Sequence, residues 1–129
     1  LPFIYFFEQH PDYFPAIKQF FDVLYETDAQ AIASMITCIE ITTHPARQGK
    51  KQLVRKYRGY LSNSDNISLF PLDINIADHV VDLRARYHFK TPDAIQLGTA
   101  LACGADYIIT NDRAWQRFED IKVLLIEAL

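Results

Sequence analysis

The sequence predicts an α/β fold in which a mainly parallel sheet lies between two helical layers, and three observations carry that reading. Short apolar runs around Ala31 to Ile36, Ile67 to Leu72, Tyr107 to Ile109 and Lys122 to Ile126 have the composition of buried strands. Segments with helical spacing of apolar residues separate them, so strands and helices alternate and the strands run parallel through crossovers. Finally, Thr91 to Asp112 carries its own punctuation. Thr91 is suited to cap a helix, Pro92 to its first position and Asp93 to its first turn; Gly104 follows its end and Tyr107-Ile108-Ile109 begins the next strand.

The remaining elements are read in chain order. Residues 2 to 9 are expected to form a short, very apolar helix ended by His10-Pro11. A second helix runs from about Asp12 to Thr27, with Ile17, Phe20, Phe21, Leu24 and Tyr25 on one buried face. After the Ala31 strand, a helix from about Thr37 is expected to be disturbed at Pro45, with Glu40 one turn in. The next helix, Lys50 to about Leu61, turns Lys51, Arg55 and Arg58 outward, and Ser62 to Asn66 is a polar loop. Pro71 moves the Ile67 strand toward the sheet edge. Asp73 or Asn75 caps a helix ending near Tyr87, and Arg113 to Phe118 makes a brief helix before the last strand.

Composition limits what such a fold does. At 129 residues the chain fits one domain, residues 1–129, large enough for a real core. No apolar run approaches the ~20 residues of a membrane span, and no secretory signal is visible, so a cytoplasmic protein with no membrane partner is expected. Cys38 and Cys103 are far apart and read as reduced thiols in or near the core; the histidines form no ligand pair. A net charge of −3 argues against nucleic-acid binding as a bulk property. Its distribution argues otherwise: Arg47, Lys50, Lys51, Arg55, Lys56 and Arg58 stand together with no acid between Arg47 and Arg58. That run reads either as an ordinary solvated helix face or as a surface for RNA phosphates or a partner, with Arg47, Lys51, Arg55 and Arg58 as candidates.

Three acids fall where strands hand over to helices: Glu40, Asp93 and Asp112. Asp93 and Asp112 also have a purely structural reading, because a helix N-terminus favours negative charge. Glu40, within Cys38-Ile39-Glu40-Ile41, is costly to bury without a partner or a cation. Together the three suggest a site for a hard cation, Mg²⁺ or Mn²⁺, which takes carboxylate oxygens and water. Thr110 and Asn111 are candidate supporting residues there, or simply turn residues serving the backbone.

Pro92-Asp93-Ala94 with its small-residue helix, Gly104-Ala105-Asp106 leading to Ile109-Thr110-Asn111-Asp112, and Ser34 to Glu40 occur in an order that resembles the PIN domain. This is a family of metal-dependent ribonucleases that includes the VapC-type toxins. The resemblance implies a three-layer α/β/α sandwich and hydrolysis of RNA phosphodiesters at Glu40, Asp93 and Asp112 with Mg²⁺ or Mn²⁺. It also implies a cognate antitoxin and a homodimer. In the family the first strand ends in an aspartate of the metal site, which on this alignment falls just before Leu1, where the chain has no residue. The expectation is therefore a sheet without its first strand, weak activity in this form, and a natural form that carries the missing strand and its aspartate. Two further readings stand beside the toxin: a PIN nuclease of RNA processing without an antitoxin, and a non-catalytic PIN-like protein that binds antitoxin or RNA.

Overall fold

A computed structural model describes residues 30–110 and 112–125, Glu26, and the backbone of 2–5. Five strands form one sheet in the order β3-β2-β1-β4-β5, and every neighbouring pair is parallel. They are β1 (Pro2–Tyr5), β2 (Gln30–Ser34), β3 (Ile67–Phe70), β4 (Tyr107–Thr110) and β5 (Lys122–Leu125). The helices are α1 (Met35–Arg47), α2 (Lys51–Asn63), α3 (Ile74–Tyr87) and α4 (Thr91–Cys103), with a 3₁₀ turn over Arg113–Arg117. This is the α/β sandwich expected from the alternation of strand and helix patterns.

The first element differs from its expectation. The helix expected over 2–9 is instead a strand at Pro2–Tyr5, and it fills the centre of the sheet between β2 and β4, the place expected to be vacant. Phe3-Ile4-Tyr5 is apolar, aromatic and β-branched without helical spacing, and Pro is tolerated at the first position of a strand. The register pairs Ile4 with Ile32 and with Ile108, and Tyr5 with Ile109. Residues 6–9 lie outside the described residues, as does the helix expected over 12–27 apart from Glu26, which is helical.

Two local readings are also corrected. Pro45 sits inside α1, which continues to Arg47: the proline removes one backbone bond, to the Ile41 carbonyl, close to the end of the helix, without ending it. Lys90, not Thr91, is the N-cap of α4; Thr91 is already helical and Pro92 occupies the first turn. Two other punctuation signals behave as read. Asp73 caps α3 by accepting from the Ile76 N–H at 2.8 Å. Gly104 ends α4 at φ 68°, a left-handed conformation that glycine adopts without Cβ strain.

The core is built around α4. Ala94, Leu97 and Ala100 have no exposure, and they pack with Ile32, Ile76, Val80, Leu83, Ile108 and Trp115. Small residues let α3 approach closely. A Cβ added to Gly98 would stand 3.1 Å from Val80 Cγ2 and 3.3 Å from the Ile76 carbonyl oxygen.

The topology fixes where polar groups collect. Because all five strands are parallel, the carboxyl ends of β2 at Ser34 and of β4 at Thr110 lie along one edge. Helix α4 feeds β4 at its amino end through Gly104, so the far end of α4, with Asp93, is returned to that same edge after about 20 Å of helix.

Candidate functional site

At the carboxyl edge, short side chains close the handovers after β2 and β4. Ser34 Oγ accepts from the Ile36 N–H at 3.2 Å as α1 begins. After β4, the fully buried Thr110 accepts from the Asp112 N–H through Oγ1 at 3.0 Å, and Asp112 Oδ1 accepts from the Ala114 N–H at 2.9 Å. Thr110 thus fixes the backbone that presents Asp112, and Asp112 caps the 3₁₀ turn with one carboxylate oxygen. Asn111 lies outside the described residues.

Asp93 faces this group from the first turn of α4. Its pKa is raised above the usual carboxylate value, first by burial and then by the negative charge of Asp112. The Trp115 side chain, Lys90 and Arg117 pull it the other way. The chain therefore holds two carboxylates near enough for the charge of one to act on the other. That donor set suits a hard divalent cation, since Mg²⁺ is commonly held by one or two carboxylates and keeps several waters.

Glu40, read from the sequence as costly to bury without a partner, is not buried. It is exposed on α1, and the amide of Gln96 donates to its Oε2 through Nε2 at 3.5 Å. Gln96 is itself 1% exposed and accepts from Thr37 Oγ1 at 3.4 Å. Gln96 lies one turn beyond Asp93 on the same helix, so Glu40 is tied to the end of α4 by an intermediary. Among the described residues, no three His, Cys, Asp or Glu side chains form a group able to hold a metal by themselves. The charge of Asp112 acts on Asp93, and Glu40 is linked to α4 through Gln96.

Two contributors escaped the sequence reading. Trp115, 1% exposed, sits in the 3₁₀ turn among core residues and beside Asp93. Gln96 is a buried amide in a stretch, Ala94 to Cys103, otherwise made of apolar and small residues, and that contrast was the signal available for it.

The basic run lies on the end of α1 and on α2. Arg47, Lys51, Arg55 and Arg58 are all exposed. An open cleft of about 600 Å³ is lined by Gly49, Lys50, Lys51, Gln52, Leu53 and Lys56. Cys38 and Cys103 are free thiols, the first buried, and burial raises the pKa of Cys103. Among the described residues, no helix is long and apolar enough to cross a membrane.

Comparison with known proteins agrees with this architecture. No curated protein matches the chain in sequence. Among solved structures, a toxin–antitoxin complex from Klebsiella pneumoniae matches at a TM-score of 0.66 and 19% identity, covering 100% of both chains. VapBC2 from Rickettsia felis, bound to a DNA fragment from its promoter, matches at 0.74 and 14%, covering 97% of this chain and 98% of that one. DNA-bound VapBC from Salmonella typhimurium matches at 0.74 and 18%, covering 98% of each. At these identities the likeness shows the fold. The PIN domain family model matches residues 2–121, and the chain belongs to the PIN domain family.

Proposed function

We propose that this chain is a Mg²⁺- or Mn²⁺-dependent endoribonuclease, the toxin of a toxin–antitoxin pair, acting in the cytoplasm as a homodimer restrained by its cognate antitoxin. The observation that carries the catalytic part is the Asp93–Asp112 pair at the carboxyl edge of a PIN fold, with Asp93 held above its usual pKa by burial and by its neighbour. The toxin part rests on three of the similar structures, one a toxin–antitoxin complex and two of them VapBC.

Asp93 and Asp112 supply the oxygen ligands, and Glu40, linked through Gln96, completes the acidic side. When bound there, a divalent cation supplies Lewis-acid activation of water and neutralises charge on the phosphodiester. Thr110 keeps Asp112 in place through the backbone, so the carboxylate is oriented before substrate arrives. Asn111, its neighbour, is assigned the same supporting role. Arg47, Lys51, Arg55 and Arg58 offer cationic contacts for an RNA backbone, with no acid between them to weaken the field.

Asp112→Asn separates capping from catalysis. Asparagine retains the acceptor that caps the turn, so the fold should hold while charge is lost. Cleavage of a defined RNA panel with Mn²⁺ should fall by two orders of magnitude or more in Asp112→Asn and in Asp93→Asn. Wild-type activity in both variants would reject the assignment.

A further inference from the structure

A buried amide is an expensive choice where an aliphatic side chain would fit. Gln96 is 1% exposed, and so is Thr37, its partner across the α1–α4 contact. Burying an amide costs free energy unless its donors and acceptor are met. Here each end has a distinct task. Oε1 accepts from Thr37 Oγ1 at 3.4 Å, and this leaves Nε2 turned to Glu40 Oε2 at 3.5 Å.

The spacing along both helices makes the link specific. Thr37 and Glu40 are i and i+3 on α1, and Asp93 and Gln96 are i and i+3 on α4, so each pair shares a helix face. The amide therefore joins a buried hydroxyl to an exposed carboxylate, one turn from Asp93. Glu40 has a flexible stem and an exposed position, so a fixed partner lowers the entropic cost of orienting its carboxylate. Both contacts are at the long end of hydrogen bonding.

We propose that Gln96 is the positioning residue for Glu40: its amide, anchored by Thr37, holds the Glu40 carboxylate toward the Asp93–Asp112 pair. This rests on the reading of that pair as a cation site. Gln96 itself touches neither RNA nor the reacting atoms.

The test is a double-mutant cycle read in Mn²⁺ affinity by calorimetry on the full chain, using Gln96→Leu, Glu40→Ala and the two combined. Gln96→Leu should weaken Mn²⁺ binding by about tenfold, as loss of a partner that orients a ligand commonly does. In the Glu40→Ala background the same change should have no further effect. Thr37→Val, which leaves the amide in place, should act in the same direction by a smaller factor, and it carries the test if Gln96→Leu does not fold. In cleavage assays Gln96→Leu should lower kcat and leave KM unchanged. Unchanged Mn²⁺ affinity, or an equal loss with and without Glu40, would overturn the proposal while leaving the nuclease reading intact. A wild-type chain that binds Mn²⁺ yet cuts no RNA would sink the nuclease reading and still leave this proposal decided by the cycle. Failure of the wild type to bind Mn²⁺ would overturn both.

Discussion

The charge of Asp112, at the end of β4, raises the pKa of Asp93, at the start of α4, adding to the larger effect of burial. The two are distant in sequence, and the return of α4 to the carboxyl edge is what brings them together. A divalent cation would relieve their repulsion, so Mg²⁺ or Mn²⁺ should raise the melting temperature. At about 100 times its Kd a cation adds about 2.7 kcal/mol. Asp93→Asn should remove most of that gain. A melting curve indifferent to millimolar Mn²⁺ would count against a working site.

Asp93 also sets a pH dependence. A carboxyl whose folded pKa lies above its unfolded value, near 3.8, binds its proton more tightly in the native state. The stability this contributes is fully present below that unfolded value and is lost as pH rises through the folded one. In chelator, therefore, Asp93→Asn should stabilise the protein at neutral pH, and its advantage should shrink in acid. Urea midpoints measured from pH 4 to 7 decide it, and a constant difference between the two proteins would refute the argument.

Much of the fold was legible because local chemistry and tertiary role agree. Asp73, Gly104 and the apolar spacing of Ile76, Val80 and Leu83 mean the same thing in isolation as in the folded chain. Pro2–Tyr5 was misread because a short apolar run carries no periodicity that distinguishes helix from strand, and pairing with β2 and β4 decides it. Asp93 and Asp112 were legible as acids at helix entrances. The role of Gln96 was not, because a buried amide is explained by its partners, Thr37 and Glu40, and both lie on another helix.

Gly98 separates helix propensity from packing. Alanine is favoured over glycine within a helix by about 1 kcal/mol. Here its Cβ would press on Val80 Cγ2 at 3.1 Å and on the backbone oxygen of Ile76 at 3.3 Å, and the latter cannot rotate away. Overpacking costs about 1–3 kcal/mol, so Gly98→Ala should be destabilising by about 1 kcal/mol net. A stabilised variant in denaturant melts would show that α3 yields more easily than its packing implies.

Trp115 links the core to the site. Truncation to alanine should cost about 3–5 kcal/mol, since the side chain is 1% exposed among core residues. Trp115→Phe keeps most of the volume but removes the indole N–H that holds the pKa of Asp93 down. Its expected signature is a further rise in that pKa, seen as a shift of the acid limb of Mn²⁺ binding to higher pH, with a much smaller loss of stability. A phenylalanine variant that shifted nothing would assign Trp115 to packing alone.

The basic face of α2 makes a prediction that does not depend on catalysis. Lys51 and Arg55 are exposed and one turn apart on a chain whose net charge is −3, so any attraction of RNA must come from local charge rather than from the whole protein. Each cation that neutralises a phosphate of a single strand contributes about 0.7 to the slope of log K against log salt. With Asp93→Asn as a non-cleaving background, Lys51→Ala and Arg55→Ala should each flatten that slope by about 0.7 and weaken binding to a fluorescent single-stranded RNA alike across sequences. The effect should vanish near 1 M salt, where the screening length falls to about 3 Å. Slopes that match the background would show that α2 is a solvated face and that RNA, if bound, follows another path to the carboxyl edge.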